Sequence, residues 1–137
     1  MDRRQFIATL SASILLPAFA SADTVDYVPG LINERLKAGE TVLVDFFAGW
    51  CPTCRTQHRV INGLKAENPD YEQKITYIVV NWDAYRGSEL TKSLKVSSRS
   101  TLVALNPKGE EISRVVADTS RNGIKALLDA ALASQSV

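Results

Sequence analysis

The sequence predicts an α/β fold, a mixed central sheet with helices on both faces. Three observations predict it. Apolar, β-branched runs of strand length alternate with segments of helical periodicity in the first part of the chain, which asks for parallel strands joined by crossovers. Near the end, two strand-like runs flank Asn-Pro-Lys-Gly-Glu, a turn sequence of hairpin length, which asks for an antiparallel pair. A chain of 137 residues suffices for one domain around one core.

The elements follow in order. Residues 25–28 read as a short irregular strand. Residues 31–37 read as a helix, with Leu31, Ile32 and Leu36 on one side and Gly39 as its stop. Residues 41–48, broken only by Asp45, form a continuous apolar run that suits a strand buried on both faces. Pro52 then stands where a helix would begin, since its missing N–H would be unpaired there anyway. That helix carries Val60, Ile61 and Leu64 on its apolar face and ends before Pro69. Residues 75–81 are the next strand and 88–95 a short helix. Residues 101–105 and 111–117 are the hairpin strands. A last helix has Ser120 as its N-cap and Ile124, Leu127, Leu128, Ala131 and Leu132 at core spacing.

Composition narrows the partners. Apolar residues make up 45% and charged residues 23%, the balance of a soluble globular domain. With a formal net charge of +1, nothing points to nucleic acid or to an anionic membrane surface. Residues 1–22 differ from the rest. Asp2, Arg3 and Arg4 precede an apolar run, and Ala20-Ser21-Ala22 has the small-x-small form of a signal peptidase site. This reads as a cleavable secretory signal, cut after Ala22, ahead of a domain at 23–137. The alternative is an uncleaved anchor. Against that, the run contains Thr9, Ser11, Ser13 and Pro17, and a spanning helix needs about 20 predominantly apolar residues. Asp2-Arg3-Arg4-Gln5-Phe6-Ile7 is also similar to the twin-arginine export motif, with an ordinary Sec signal as the alternative. Either route places the mature chain outside the cytoplasm.

Gly49-Trp50-Cys51-Pro52-Thr53-Cys54-Arg55 holds the only two cysteines. Such a pair can be a redox couple, half a metal site or a structural clip. Its loop is too small for a useful clip, because chain-entropy stabilisation grows with loop length. In an oxidising compartment the pair tends toward a Cys51–Cys54 disulfide. The position also matters. At a strand-to-helix junction Cys51 becomes the N-cap, facing the free N–H groups and the positive end of the helix dipole. Both favour the thiolate, and such cysteines can titrate at roughly 3.5–7.5. Cys54, one turn inside the helix, is expected to be more buried and to act as the resolving thiol.

From Val42 through Cys54 the chain resembles the strand, Trp-Cys-x-x-Cys and helix of the thioredoxin superfamily, and the element order matches over about residues 26–132. Trp50-Cys51-Pro52-Thr53-Cys54-Arg55, with a nearby His, is similar to cytochrome c maturation thiol reductases. The C-terminal domain of the transmembrane disulfide reductase is similar in length and in the preceding strand. The resemblance implies a thioredoxin fold and a periplasmic thiol–disulfide oxidoreductase without a cofactor. Its partners would be protein disulfides, with a membrane-embedded disulfide reductase as electron donor, and it would be a monomer. Cys51 and Cys54 would be catalytic. Asp45 matches the buried acid behind the second cysteine, a candidate acceptor of the Cys54 proton. Trp50, Pro52 and Thr53 would face the substrate, as would Arg99, Ser100 and Thr101. These last three depart from the family, which has a cis-proline where this chain has Ser100. A cis bond before a non-proline residue costs about 2.5–4 kcal/mol, so the Arg99–Ser100 bond is expected to be trans. Arg99 then either supports the Cys51 thiolate by its charge or points into solvent.

Two other classes stay open. Cys51, Cys54 and His58 have the spacing of three metal ligands, with copper as the candidate metal, although no second half-site accompanies them and His58 is expected on the helix surface. Covalent haem is disfavoured because Arg55, not His, follows Cys54. Without the proline, a non-catalytic thioredoxin-like interaction domain is the other alternative.

Overall fold

The structure, a computed structural model, describes residues 24–136; the predicted signal at 1–22 and its cleavage after Ala22 lie outside them. Five strands form one sheet in the order β1-β3-β2-β4-β5. They are β1 (Val25–Asp26), β2 (Val42–Phe47), β3 (Thr76–Asn81), β4 (Thr101–Leu105) and β5 (Glu111–Val116). β1 and β2 both run parallel to β3, whereas β4 runs antiparallel to β2 and to β5. The mixed sheet read from the sequence is the sheet observed.

The helices are α1 (Leu31–Lys37), α2 (Pro52–Glu67), α3 (Pro69–Gln73), α4 (Trp82–Tyr85), α5 (Glu89–Ser93) and α6 (Arg121–Ala133). α1 stops where Gly39 takes a φ of 88°, and the Gly39 and Glu40 amides bond back to Leu36 and Arg35. α2 ends at Asn68, as Pro69 demands. Asn68 then caps α3 by accepting from the Asp70 amide, 3.1 Å. α3 and α4 are additions to the elements expected from the sequence; at five and four residues they are too short to show periodicity.

β2 lies at the sheet centre, which explains its unbroken apolar run: every residue from Val42 to Phe46 is buried. Alternation along the strand divides two cores. Val42, Val44 and Phe46 pack with Ile32 and Leu36 of α1 and with Val96. Leu43 packs on the other face with Ile61 and Leu64 of α2 and with Ile124, Leu127, Leu128 and Ala131 of α6. Asp45 belongs by the same alternation to the α2 face, and this sets its partner.

Pairing also decides what meets at the carboxyl end of β2. Parallel register puts Asn81, and so α4, beside Phe47. Antiparallel register puts Thr101 opposite Phe46, so residue 100 arrives at the same edge from 49 positions beyond Cys51. Phe46→Ala is expected to cost about 3–5 kcal/mol through the cavity it leaves. Val116→Ala, at an exposed position, should stay within about 0.5 kcal/mol. Equilibrium urea unfolding of the two variants checks the contrast.

Candidate active site

Cys51 is the N-cap of α2, with extended backbone (φ −92°, ψ 113°) and Pro52 as the first helical residue. Its Sγ accepts from the Cys54 amide at 3.2 Å, as a capping serine oxygen would. Cys54 lies one turn on, fully buried, and both residues are free thiols. The structure therefore holds the dithiol member of the pair, not the disulfide.

Ser100 stands over both sulfurs. Its Oγ is 3.3 Å from Cys51 Sγ and 3.0 Å from Cys54 Sγ. The Ser100 backbone is held at three points. Its N–H donates to Phe46 O at 2.8 Å, extending the β2–β4 ladder, and its carbonyl accepts from the Ala117 amide at 2.8 Å and from Gln57 Nε2 at 3.0 Å. A proline could not make the first of these bonds. The peptide bonds of the described residues are all trans, Arg99–Ser100 included, and Ser100 sits at a φ of 62°, in the left-handed region that non-glycine residues seldom occupy. Ser100 and Thr101, expected to face substrate, are 3% and 1% exposed. Thr101 donates its hydroxyl to Ser98 O at 2.8 Å, which buttresses the loop.

These contacts set the two thiols apart. Burial works against the Cys51 thiolate. Hydrogen bonds from the Cys54 side chain, Ser100, the Cys54 amide and Arg99 outweigh it and bring Cys51 down to about 7. Burial pushes Cys54 the other way, and its hydrogen bond to Cys51 adds to the rise. One thiol is thus readied to ionise while the other keeps its proton, the division of labour that stepwise disulfide exchange needs.

The rim is built from Trp50, Arg99 and Asp83. Trp50 is 55% exposed, its Nε1 donates to Asp83 Oδ2 at 2.9 Å, and the Arg99 guanidinium lies 4.5 Å from the ring centroid. Arg99 therefore does not extend freely into solvent: it lies against the Trp50 ring and also contributes to lowering Cys51. Pro52 is exposed and Thr53 half-buried beside it.

Asp45 and His58 meet behind the cysteines. Asp45 is buried, and His58 Nε2 lies 2.5 Å from its Oδ2 while the imidazole stacks on Phe47 at 4.2 Å. His58, expected on the helix surface, is part-exposed but bonded to Asp45. It occupies the sheet-facing side of α2, where β2 presents its only charge. Burial raises the Asp45 pKa, and the hydrogen bond and charge of His58 offset part of the rise. No hydrogen bond joins Asp45 to Cys54; the partners of Cys54 Sγ and N are Ser100 and Cys51. With His58 so engaged, a Cys51–Cys54–His58 metal set does not form, and among the described residues no group of three His, Cys, Asp or Glu could hold a metal ion.

Gln57 escaped the sequence reading. It is fully buried and donates to both Ser100 O and Asp118 O, at 3.0 Å each. A signal existed: Gln57 falls on the stripe of α2 that also carries Cys54, Ile61 and Leu64, where a polar side chain must find buried partners. Asp83 carried no such signal, because its contact with Trp50 depends on the parallel β2–β3 register. Buried polar atoms without a hydrogen-bond partner among the described residues include Asp45 Oδ1, Gln57 Oε1 and Arg99 Nε, all at this site.

A family model described as thioredoxin matches residues 27–130. The chain belongs to the thioredoxin family. Mitochondrial thioredoxin-2 of Schizosaccharomyces pombe is 32% identical over 87 residues, covering 64% of this chain and 60% of the relative. The thiol:disulfide interchange protein DsbE of Haemophilus influenzae is 46% identical over 35 residues, 26% of this chain and 19% of that protein. The chain thus spans less than two thirds of the first relative's length and about a fifth of the second's. The crystal structure titled Trxlp from Edwardsiella tarda superposes with a TM-score of 0.66 at 28% identity, covering 77% of this chain and 98% of the other. The thioredoxin fold expected from the motif is the fold observed. The family is one of thiol–disulfide oxidoreductases, and this thioredoxin-family chain carries the cysteine pair in the corresponding strand-to-helix position.

The raised pKa of Asp45 has a signed consequence for stability. The folded state holds the Asp45 proton more tightly than the unfolded state does. Its contribution is therefore fully present below the ordinary aspartate pKa of about 3.9 and is lost as pH rises through the higher folded value. Asp45→Asn should remove this loss, leaving the variant more stable than wild type at neutral pH and with a flatter profile above pH 4. Urea unfolding across a pH series checks it; parallel profiles would contradict it.

Proposed function

We propose that this chain is an exported thiol–disulfide oxidoreductase that reduces or exchanges disulfides of periplasmic proteins. The observation that carries this reading is the unequal pair: Cys51 capping α2 with a titration near 7, and Cys54 buried beside it and held protonated. Cys51 attacks a substrate disulfide and forms a mixed disulfide. Cys54 then attacks Cys51 and frees the substrate. Trp50 and Arg99, stacked at the rim with Pro52 and Thr53 beside them, are the surface we assign to substrate contact. Asp45 is the acid we assign as acceptor of the Cys54 proton. No direct hydrogen bond joins the two, and His58, part-exposed and bonded to Asp45, links the buried carboxyl to solvent.

A reductive or disulfide-transfer role is favoured over primary oxidation. The Pro52-Thr53 dipeptide lacks the histidine found between the cysteines of strongly oxidising relatives. In an oxidising compartment a reductase needs electrons from elsewhere, which implies a membrane-embedded disulfide reductase as donor. No helix among the described residues is long and apolar enough to cross a membrane, so such a donor would be a separate protein or segment.

Trapping tests the reading. Cys54→Ser should accumulate Cys51-linked mixed disulfides that reductant releases, and Cys51→Ser should abolish both the adducts and insulin reduction. A wild type without insulin reduction, or the same adducts from Cys51→Ser, would favour a non-catalytic interaction domain.

A further inference from the structure

We propose that Ser100 is a catalytic residue of this chain: its hydroxyl donates in turn to whichever of Cys51 and Cys54 carries the negative charge. The inference rests on the oxidoreductase reading and goes beyond it, since a residue expected only to line the substrate side becomes a participant in both chemical steps.

Geometry carries it. The hydroxyl lies within hydrogen-bond reach of both sulfurs, 3.3 Å from Cys51 and 3.0 Å from Cys54, and these sulfurs are its partners among the described residues. A hydroxyl has one proton to donate, so it cannot serve both sulfurs at once. Choosing between them requires only rotation of the O–H, with no heavy atom moving. Of the neighbouring groups, Asp45 is committed to His58, and Arg99, stacked on Trp50, reaches Cys51 alone, so Ser100 is the side chain that serves both sulfurs. The backbone is held by Phe46 O, the Ala117 amide and Gln57, which keeps Ser100 at a φ of 62°. Maintaining a serine in this sparsely occupied region requires the surroundings to over-determine it, and such residues gather at functional sites. Donation to a charged sulfur is stronger than donation to a neutral one, so the proton follows the charge.

The chemistry balances. The Cys51 thiolate attacks one sulfur of a substrate disulfide; the Cys51–substrate S–S bond forms, the substrate S–S bond breaks, and the departing thiolate takes a proton from water. Cys54 gives its proton to the Asp45 carboxylate, and the negative charge moves from Asp45 to Cys54. The Cys54 thiolate attacks Cys51 Sγ, closing the Cys51–Cys54 disulfide and expelling the second substrate thiolate. The two cysteines are oxidised by two electrons and the substrate disulfide is reduced by two. Ser100 donates to Cys51 in the first step and to Cys54 in the last.

The test uses the full chain as wild type, Ser100→Ala and Ser100→Gly, with glutathione disulfide as substrate. Glycine accepts a φ of 62° without strain, so the Gly variant removes the hydroxyl while sparing the backbone. Thiolate absorbance against pH reads Cys51 ionisation. Stopped-flow release of the first and second glutathione thiols reads attack and resolution separately. Both variants should move the Cys51 titration up toward the ordinary thiol range and slow each release about tenfold, the effect of one hydrogen bond to a charged group. If Ser100→Gly leaves the titration and both rates at wild-type values, or slows only one of the two steps, the proposal is overturned. If wild type releases no thiol at all, the oxidoreductase reading falls and takes the proposal with it.

Discussion

The start of a helix leaves backbone N–H groups without partners, and in this chain the side chain offered to them is the sulfur of Cys51. The rest of the site depends on that placement. Because α2 begins immediately beyond the end of β2, the capping sulfur is fixed at the centre of the sheet's carboxyl edge. Because the cap position has extended backbone and the next residue is Pro52, the helix cannot begin earlier and move Cys51 into its interior. Cys54 then falls one turn on and is buried by the packing of α2 against the sheet. Cys54 shares a small apolar cluster with Ala48, Cys51, Phe47 and Trp82, and this burial raises its pKa although Ser100 lies within hydrogen-bond reach.

Around this start, the sheet acts as an assembly jig. β2 delivers the cysteines, β3 delivers Asp83 to Trp50, and β4, running the other way, delivers Ser100. The connection between β5 and α6 contributes Ala117, whose amide donates to Ser100 O, and Asp118, whose carbonyl Gln57 ties to that of Ser100. Groups spread from residue 45 to residue 118 thus converge without a long loop. The site also concentrates features that cost stability: a buried carboxyl, a serine in the left-handed region and buried polar atoms lacking partners. A fold tolerates such costs where the groups serve chemistry and the surrounding cores are well packed.

The parts of this molecule that repeat or punctuate were legible in the sequence. β2 announced itself by a run too long and too apolar to be anything but central, and Pro52, Pro69 and Ser120 marked helix ends where they are observed. The Cys51 cap followed from Pro52 alone. What could not be read were contacts set by register. Asp45 was recognisable as a buried acid, but its partner depended on which face of β2 meets α2, and His58 was consequently expected on the surface. Ser100 could be placed near the cysteines by resemblance, yet its left-handed backbone comes from hydrogen bonds to Phe46, Ala117 and Gln57, none of them near in sequence.

The central claim is that the donors gathered at the α2 start hold Cys51 ionised near neutral pH despite its burial. The most direct measurement is the pH dependence of iodoacetamide alkylation of the fully reduced wild-type chain, with the modified cysteine identified by mass spectrometry. The account predicts that Cys51 is alkylated first, with a rate that rises through a midpoint near pH about 7. A midpoint at the ordinary thiol value of about 8.5, or first alkylation at Cys54, would contradict it.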